Sequence, residues 1–223
     1  MNIAKKSARS ILNTLKSFRQ RRTLMTAFKS FRNAPLDRNN YDDLLYGWGA
    51  DGWAASGDYI HDCIASFLND PGPILECGSG ITTILLGELA QNQGTEIWAL
   101  EHDEQWGQYT RDHSRLLGID AIQLAVKPLR SYGSFDWYDP PLEQMPSRFK
   151  LVVCDGPPGS TLGGRYGLVA VMRDYIRGAT ILLDDVNRDD ELEIAKRWAS
   201  ELDTTFETFG PTGHRHVTMQ VPL

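Results

Sequence analysis

The sequence predicts an open α/β sheet of seven strands, mostly parallel, closed by an antiparallel last strand. Three observations predict it. Short apolar runs end in small or acidic residues, stretches with helical apolar spacing separate them, and the last two runs are joined by a turn with no helix between. The 223 residues are 41% apolar and 23% charged, which suits one substantial core and is short for two independent ones. Such a composition excludes collagen-like and wholly disordered chains. No apolar run reaches the roughly eighteen residues of a membrane-spanning helix.

Residues 1–36 form a basic arm: Lys5, Lys6, Arg9, Lys16, Arg19, Arg21, Arg22, Lys29 and Arg32, with no acidic side chain. The remaining 14 basic groups face all 29 acidic ones, so the body is a poor platform for nucleic acid. Ile11, Leu15 and Phe18 follow helical spacing, with Leu12 broadening the apolar side and Phe28 and Phe31 extending it. Residues 1–32 could lie on an anionic membrane, dock on a partner, touch nucleic acid, or pack on their own domain. The first apolar positions are scattered among Lys, Arg and Ser, so no secretory leader is expected. The expected location is cytoplasmic, with the arm able to reach a membrane surface. Cys63, Cys77 and Cys154 lack zinc-ligand spacing and are expected to be reduced and buried.

Residues 37–73 lead into the core. Gly47, Gly49 and Gly52, interleaved with Trp48 and Trp53, prevent a long helix over 41–53. Ile60, Ile64, Phe67 and Leu68 then mark a helix over about 58–69, which Asn69-Asp-Pro-Gly-Pro73 stops. Residues 74–223 form the core. Strands are predicted at 74–77, 96–101, 121–126, 151–155 and 180–184, with helices after the first, second, fourth and fifth. The segments 204–209 and 216–221 flank Gly210-Pro-Thr-Gly213 as the closing pair.

In such a sheet, ligands lie beyond the carboxyl ends of the strands where strand order reverses. Glu76-Cys-Gly-Ser-Gly-Ile-Thr82 sits there, with Gly78 and Gly80 allowing close backbone approach and the next helix start offering amides. Glu101 ends the second strand, where a carboxylate can accept hydrogen bonds from a ribose diol. Thr83 stands where a nicotinamide-type GxGxxG pattern requires its third glycine, which disfavours an oxidoreductase. His102 follows Glu101 and could border a bound nucleoside or merely begin a helix. Trp137 and Tyr138 could cover a ring or simply pack their loop.

The run Leu75-Glu-Cys-Gly-Ser-Gly80, with Glu101 after the second strand, resembles the class I S-adenosylmethionine-dependent methyltransferases. The resemblance spans Ile74 to the last strands and implies a Rossmann-like class I methyltransferase fold. It implies a cofactor site of Glu76, Gly78, Ser79, Gly80, Glu101 and His102, and a cytoplasmic enzyme that transfers a methyl group. Asp155, Asp184 and Asp185 end the fourth and fifth strands. Carboxylates gathered on one rim need neutralising, and Mg²⁺ suits oxygen ligands. The set is similar to that of the metal-dependent small-molecule O-methyltransferases, although Asp185 replaces an amide and helix capping is the alternative reading. The catechol-directed relatives among them place a lysine three residues beyond the first metal aspartate, where this chain has Pro158. Asp155 and His214 are the catalytic candidates, with His216 and His61 behind His214. Arg165 and Tyr166 are candidates for contacts to a hydroxyl-bearing small molecule, sugar or aromatic. A metal-independent N- or O-methyltransferase, or a non-catalytic scaffold placed by the arm, are the alternatives, and a homodimer is compatible with the size and fold.

Overall fold

The computed structural model describes residues 2–49 and 55–223, with side chains from residue 15 onward. Trp53 and the side chains of Ile11 and Leu12 lie outside the described residues. Two compact units form, residues 1–57 and 58–223. In the first, helix α1 (Asn2–Asn33) packs its C-terminal half on α2 (Tyr41–Trp48). The approach is close: a Cβ on Gly47 would stand 2.6 Å from the Leu24 backbone nitrogen. Gly49 ends α2 in the left-handed conformation, φ 79°, which glycine adopts without a Cβ clash. Farther back on α1, Leu15 and Phe18 are exposed.

The second unit begins with α3 (Gly57–Asn69), the helix predicted just before the first strand. Its apolar side buries Tyr59, Ile60, Cys63, Ile64 and Phe67. The Tyr59 hydroxyl donates to the Leu182 carbonyl at 3.1 Å, so the helix is tied to the sheet. Then follow β1 (Ile74–Cys77), α4 (Ile81–Asn92), β2 (Ile97–Glu101), α5 (Glu104–Leu117) and β3 (Ile122–Val126). A two-strand hairpin, β4 (Arg130–Ser131) with β5 (Asp136–Trp137), interrupts the alternation. Strand β6 (Leu151–Cys154), α6 (Gly167–Met172), β7 (Thr180–Leu183), α7 (Asp189–Leu202), β8 (Phe206–Phe209) and β9 (His216–Gln220) complete the chain.

The main sheet has seven strands in the order β3-β2-β1-β6-β7-β9-β8. Pairings are parallel from β3 to β7, while β9 runs antiparallel to both β7 and β8. The predicted α/β class, sheet and antiparallel closure are therefore present. All four residues of β1 and of β6 are buried, as expected of parallel strands covered on both faces. One face packs Leu75, Cys77, Val152, Cys154 and Leu183 with Leu168, Val169 and Trp198 from α6 and α7. Order reverses between β1 and β6, so their carboxyl ends open the crevice where ligands bind. All three cysteines are free and buried. Among the described residues no helix is long and apolar enough to cross a membrane.

Candidate functional site

The loop after β1 forms one wall of the crevice. Gly78 adopts φ 90°, and a Cβ there would press on the Gly156 backbone nitrogen at 3.3 Å, so the loops after β1 and β6 touch. Gly80 differs: its backbone is extended and a Cβ built on it meets no atom of the described residues within 4 Å. That open space lies at the start of α4, where Gly80 N–H donates to the Thr83 hydroxyl at 2.8 Å. Beneath the loop, Glu76 is fully buried in a strand otherwise made of apolar side chains and Cys77. Thr82 donates its hydroxyl to Glu76 Oε1, whereas Oε2 has no hydrogen-bond partner among the described residues. Burial raises this carboxyl to about 8, with the Thr82 and Thr83 hydroxyls pulling the other way. A buried acid with an unpartnered oxygen is costly to the fold unless a further partner reaches it.

Glu101, at the end of β2, holds the wall together. Oε2 accepts from the Ser79 amide at 3.0 Å and the Ser79 hydroxyl at 2.9 Å. Oε1 accepts from the His102 and Asp103 amides at 2.7 and 2.9 Å. His102 Nδ1 stands 3.1 Å from the same oxygen. Asp103 caps α5 by accepting from the Trp106 amide at 2.8 Å, and Trp106 Nε1 donates back to the Ser79 carbonyl at 2.5 Å. Glu101 and Ser79, predicted as separate cofactor contacts, thus form one hydrogen-bonded unit.

The acidic rim is organised by an arginine. Asp155 follows β6, and Asp184 and Asp185 follow β7. Arg165, only 2% exposed, reaches all three. Its Nη2 donates to the Asp155 carboxylate at 3.1 Å, the Asp155 carbonyl at 2.9 Å and the Asp185 carboxylate at 2.8 Å. Its Nη1 donates to the Asp184 carbonyl at 2.8 Å. Arg188 Nη1 lies 2.9 Å from the same Asp185 oxygen, and Asp184 Oδ1 accepts from the Asp185 amide at 2.8 Å. Asp185 itself takes φ 64°, a left-handed turn that is uncommon for a non-glycine residue. Asp155 keeps 34% of its side chain open; burial of the remainder raises its carboxyl above the ordinary range, Arg165 opposes this, and Asp184 and Asp185 add to it.

These residues do not fit Mg²⁺ as arranged. A permanent cation already occupies the space between Asp155 and Asp185. Among the described residues, no three His, Cys, Asp or Glu side chains are grouped to hold a metal ion. Arg165 is a tie between strand ends, which the sequence expectation of a substrate contact does not capture. Tyr166 is half-buried beneath the Arg197 guanidinium, 3.4 Å from its ring centroid. It lines a cavity of about 370 Å³ with Phe135, Gly163, Ile194 and Arg197.

His214 is exposed in the loop before β9. His216 is fully buried, and its Nε2 lies 2.8 Å from Asp62 Oδ2 on α3. Burial acts upward on Asp62, but hydrogen bonds to His216 and His61 outweigh it and hold the carboxyl low. Since Leu183 pairs with Val217, His216 stands beside Asp184 on the ligand-facing rim. Sequence reasoning missed Asp62, whose partner is 154 residues away; the adjacent His61-Asp62 was the available signal. Trp137 and Tyr138 are buried in the core, with Trp137 lying against Gly167, so neither ring is an open platform.

Neither a protein-family model nor a curated protein matches the sequence. Solved structures do resemble it. Precorrin-6y C5,15-methyltransferase from Geobacter metallireducens is 16% identical with a TM-score of 0.58, covering 77% of this chain and 92% of that one. The O-methyltransferase TomG from Streptomyces achromogenes, solved with S-adenosylmethionine, is 15% identical with a TM-score of 0.57 over 90% of each chain. Cofactor-bound Rv0187 from MTB is 18% identical with a TM-score of 0.53, covering 78% and 84%. The chain therefore has the fold of the class I S-adenosylmethionine-dependent methyltransferases.

Proposed function

We propose that the protein is a methyltransferase that uses S-adenosylmethionine to methylate a hydroxyl of a small molecule, a sugar or an aromatic. The observation that carries this reading is the wall built from the loop after β1. A buried carboxyl with one oxygen unpartnered among the described residues lies in the strand that leads into this loop. Gly80 within the loop has open space at its Cβ position among the described residues, and a second carboxyl holds the loop. The donor set suits a cofactor that carries positive charge and a ribose. In this reading Glu76 faces the cation, Gly78 and Gly80 give room for the backbone to approach, and Ser79, Glu101 and His102 border the ribose.

When bound, S-adenosylmethionine supplies a methyl group made electrophilic by the sulfonium, whose sulfur leaves as a neutral thioether. The chain's own work is alignment and proton handling. Asp155 stands on the rim beside the glycine loop with part of its carboxylate open, and takes the proton of the acceptor hydroxyl. Arg165 holds that carboxylate in place. His214, exposed on the neighbouring loop, is the second candidate for the proton. Tyr166 and its cavity are the place for an acceptor ring. Two of the aspartates that would hold Mg²⁺, Asp155 and Asp185, already bind Arg165, so proton removal falls to the chain's own groups.

Calorimetry with S-adenosylmethionine and S-adenosylhomocysteine tests the reading. Binding to the wild type, weakened by about 100-fold or more in Glu101→Ala through loss of charge-assisted hydrogen bonds, supports it. No binding to the wild type overturns it.

The arm has its own reading, which its composition and exposure support. Leu15 and Phe18 are exposed among Lys16, Arg19, Arg21 and Arg22, an arrangement suited to an anionic lipid surface.

A further inference from the structure

The rim formed by the ends of β6 and β7 carries three aspartates. Carboxylates gathered this closely repel one another unless charge is neutralised, and the chain supplies a cation covalently. We propose that Arg165 is the resident cation of the rim, a guanidinium lock in the place of a divalent ion, and that methyl transfer by this protein is independent of divalent metal. The second half rests on the methyltransferase reading; the lock itself does not.

The geometry of one planar group carries the inference. Nη2 donates to both the carboxylate and the carbonyl of Asp155 and to the carboxylate of Asp185, while Nη1 donates to the carbonyl of Asp184. Four acceptors from two strand ends thus converge on two nitrogens, as a metal's ligands converge on its centre. A guanidinium stays protonated in proteins and presents its donors in a fixed fork. A lysine offers only a point charge.

The lock cannot swing aside. Arg165 is 2% exposed, and the chain on either side of it is pinned. A Cβ on Gly163 would lie 2.6 Å from the Phe135 Cβ. The Tyr166 carbonyl accepts from Trp198 Nε1 at 3.2 Å, and Gly167 has no room for a Cβ against Trp137. Withdrawing the guanidinium would take this donor from the Asp155 and Asp184 carbonyls and from the Asp155 carboxylate. A divalent ion within the usual 2.0–2.6 Å of Asp155 and Asp185 oxygens would sit against Nη2, which is 3.1 and 2.8 Å from those same atoms. Arg188, paired with Asp185 at 2.9 Å, adds a second positive charge. The two cations exclude each other, and the one covalently attached remains.

Mn²⁺ is the probe, since the electron paramagnetic resonance of its free aquo ion reports binding without any turnover. Full-length wild type is expected to leave the free-ion signal unchanged at protein and metal concentrations of about 0.1 mM, a range that detects ordinary carboxylate sites. Arg165→Gln, combined with Arg188→Gln because Arg188 also pairs with Asp185, and checked for folding by circular dichroism, frees Asp155 and Asp185 and is expected to tighten Mn²⁺ binding by about tenfold or more; Asp155→Asn in that background removes the gain. Saturable Mn²⁺ binding by wild type that Asp155→Asn abolishes overturns the proposal. So does a folded Arg165→Gln, Arg188→Gln protein with neither a gained Mn²⁺ site nor a lowered melting temperature. If that protein fails to fold, the wild-type titration decides, with Arg165→Lys, which keeps the charge, as the folded comparison. Methyl transfer that persists unchanged in chelator supports the second half of the proposal, and transfer abolished by chelator overturns it. Failure to bind S-adenosylmethionine would remove the methyltransferase reading and leave the lock standing.

Discussion

Replacing Glu76 by glutamine separates the cost of an acid in the core from its use. Glu76 is fully buried, one oxygen has no partner, and its carboxyl is raised from 4.5 to about 8. The folded protein therefore holds this proton at a pH where the unfolded chain has lost it. With more protons bound in the native state, stability falls as pH rises from the unfolded value to the folded one. The slope attributable to this group approaches about 1.4 kcal/mol per pH unit. Between pH 5.5 and 7.5 the wild type should lose on the order of 2 kcal/mol relative to Glu76→Gln, whose amide resembles the neutral acid and does not titrate. For a chain of this size that widens the gap in melting temperature by roughly 4–8 °C. Thermal melts of both proteins at pH 5.5, 6.5 and 7.5 measure it. Parallel curves would refute the reasoning. The same group reports on the cofactor. At pH 7 a carboxyl titrating near 8 is about 90% protonated, and a cation arriving on the loop favours its ionised form. Binding of S-adenosylmethionine should then release up to about 0.9 proton, read as a dependence of calorimetric enthalpy on buffer ionisation enthalpy. Glu76→Gln should release none and bind at least about tenfold more weakly.

Two glycines should respond in opposite ways. Gly80→Ala meets no atom and needs no unusual φ, so its melting temperature should stay near that of wild type while S-adenosylmethionine affinity falls by about tenfold or more; unchanged affinity would place the cofactor elsewhere. Gly156→Ala drives a Cβ into the Tyr138 hydroxyl and within 3.2 Å of the Cys77 carbonyl, and should cost about 1–3 kcal/mol in a denaturant titration. Asp62 is held below its ordinary range by His216 and His61 against the upward pull of burial. Its contribution is present above the unfolded carboxylate pKa and lost as pH falls through the lower folded value, so Asp62→Asn should flatten the acid limb of the stability profile; an unaltered limb would count against the pair. Full-length protein should co-sediment with vesicles containing anionic phosphatidylserine and not with neutral ones, and a Leu15→Ser, Phe18→Ser protein should lose most of that binding; retention would rule out the lipid reading of the arm.

Much of the core was legible because its signals are local. Ile74-Leu-Glu-Cys77 and Leu151-Val-Val-Cys154 are short buried runs, and the helices between strands show their apolar spacing within a few turns. The break at Gly210-Pro-Thr-Gly213 announced the closing pair, and β8 and β9 flank it. The β4–β5 hairpin escaped notice, since two residues per strand are too few to show alternation. The helix predicted after the fourth strand ends at Met172, although Tyr175 and Ile176 carry the helical apolar spacing on into turns, so periodicity alone cannot mark the stop. In the site, the glycines and both glutamates stood out because a turn and a strand end are local features. The bond from Ser79 to Glu101 was invisible, because it joins residues 22 apart through the pairing of β1 with β2.

By itself the sequence determined the order along the chain of the seven strands of the main sheet and the helices between them, the glycine loop at the switch of strand order, and the presence of three aspartates on one rim. Those follow from spacing, chain direction and residue type, which local physics reads directly. Only the tertiary structure decided what neutralises the aspartates. Arg165 lies ten residues from Asp155 and twenty from Asp185, and nothing in that spacing says whether a long side chain runs out to solvent or inward. The surrounding fold makes the choice: Phe135 and Trp137 crowd the glycines on either side of Arg165, and among the described residues the hydrogen-bond partners of the buried guanidinium are the ends of β6 and β7. Coulomb energy depends on distance in space, and that distance exists only once the strands are paired.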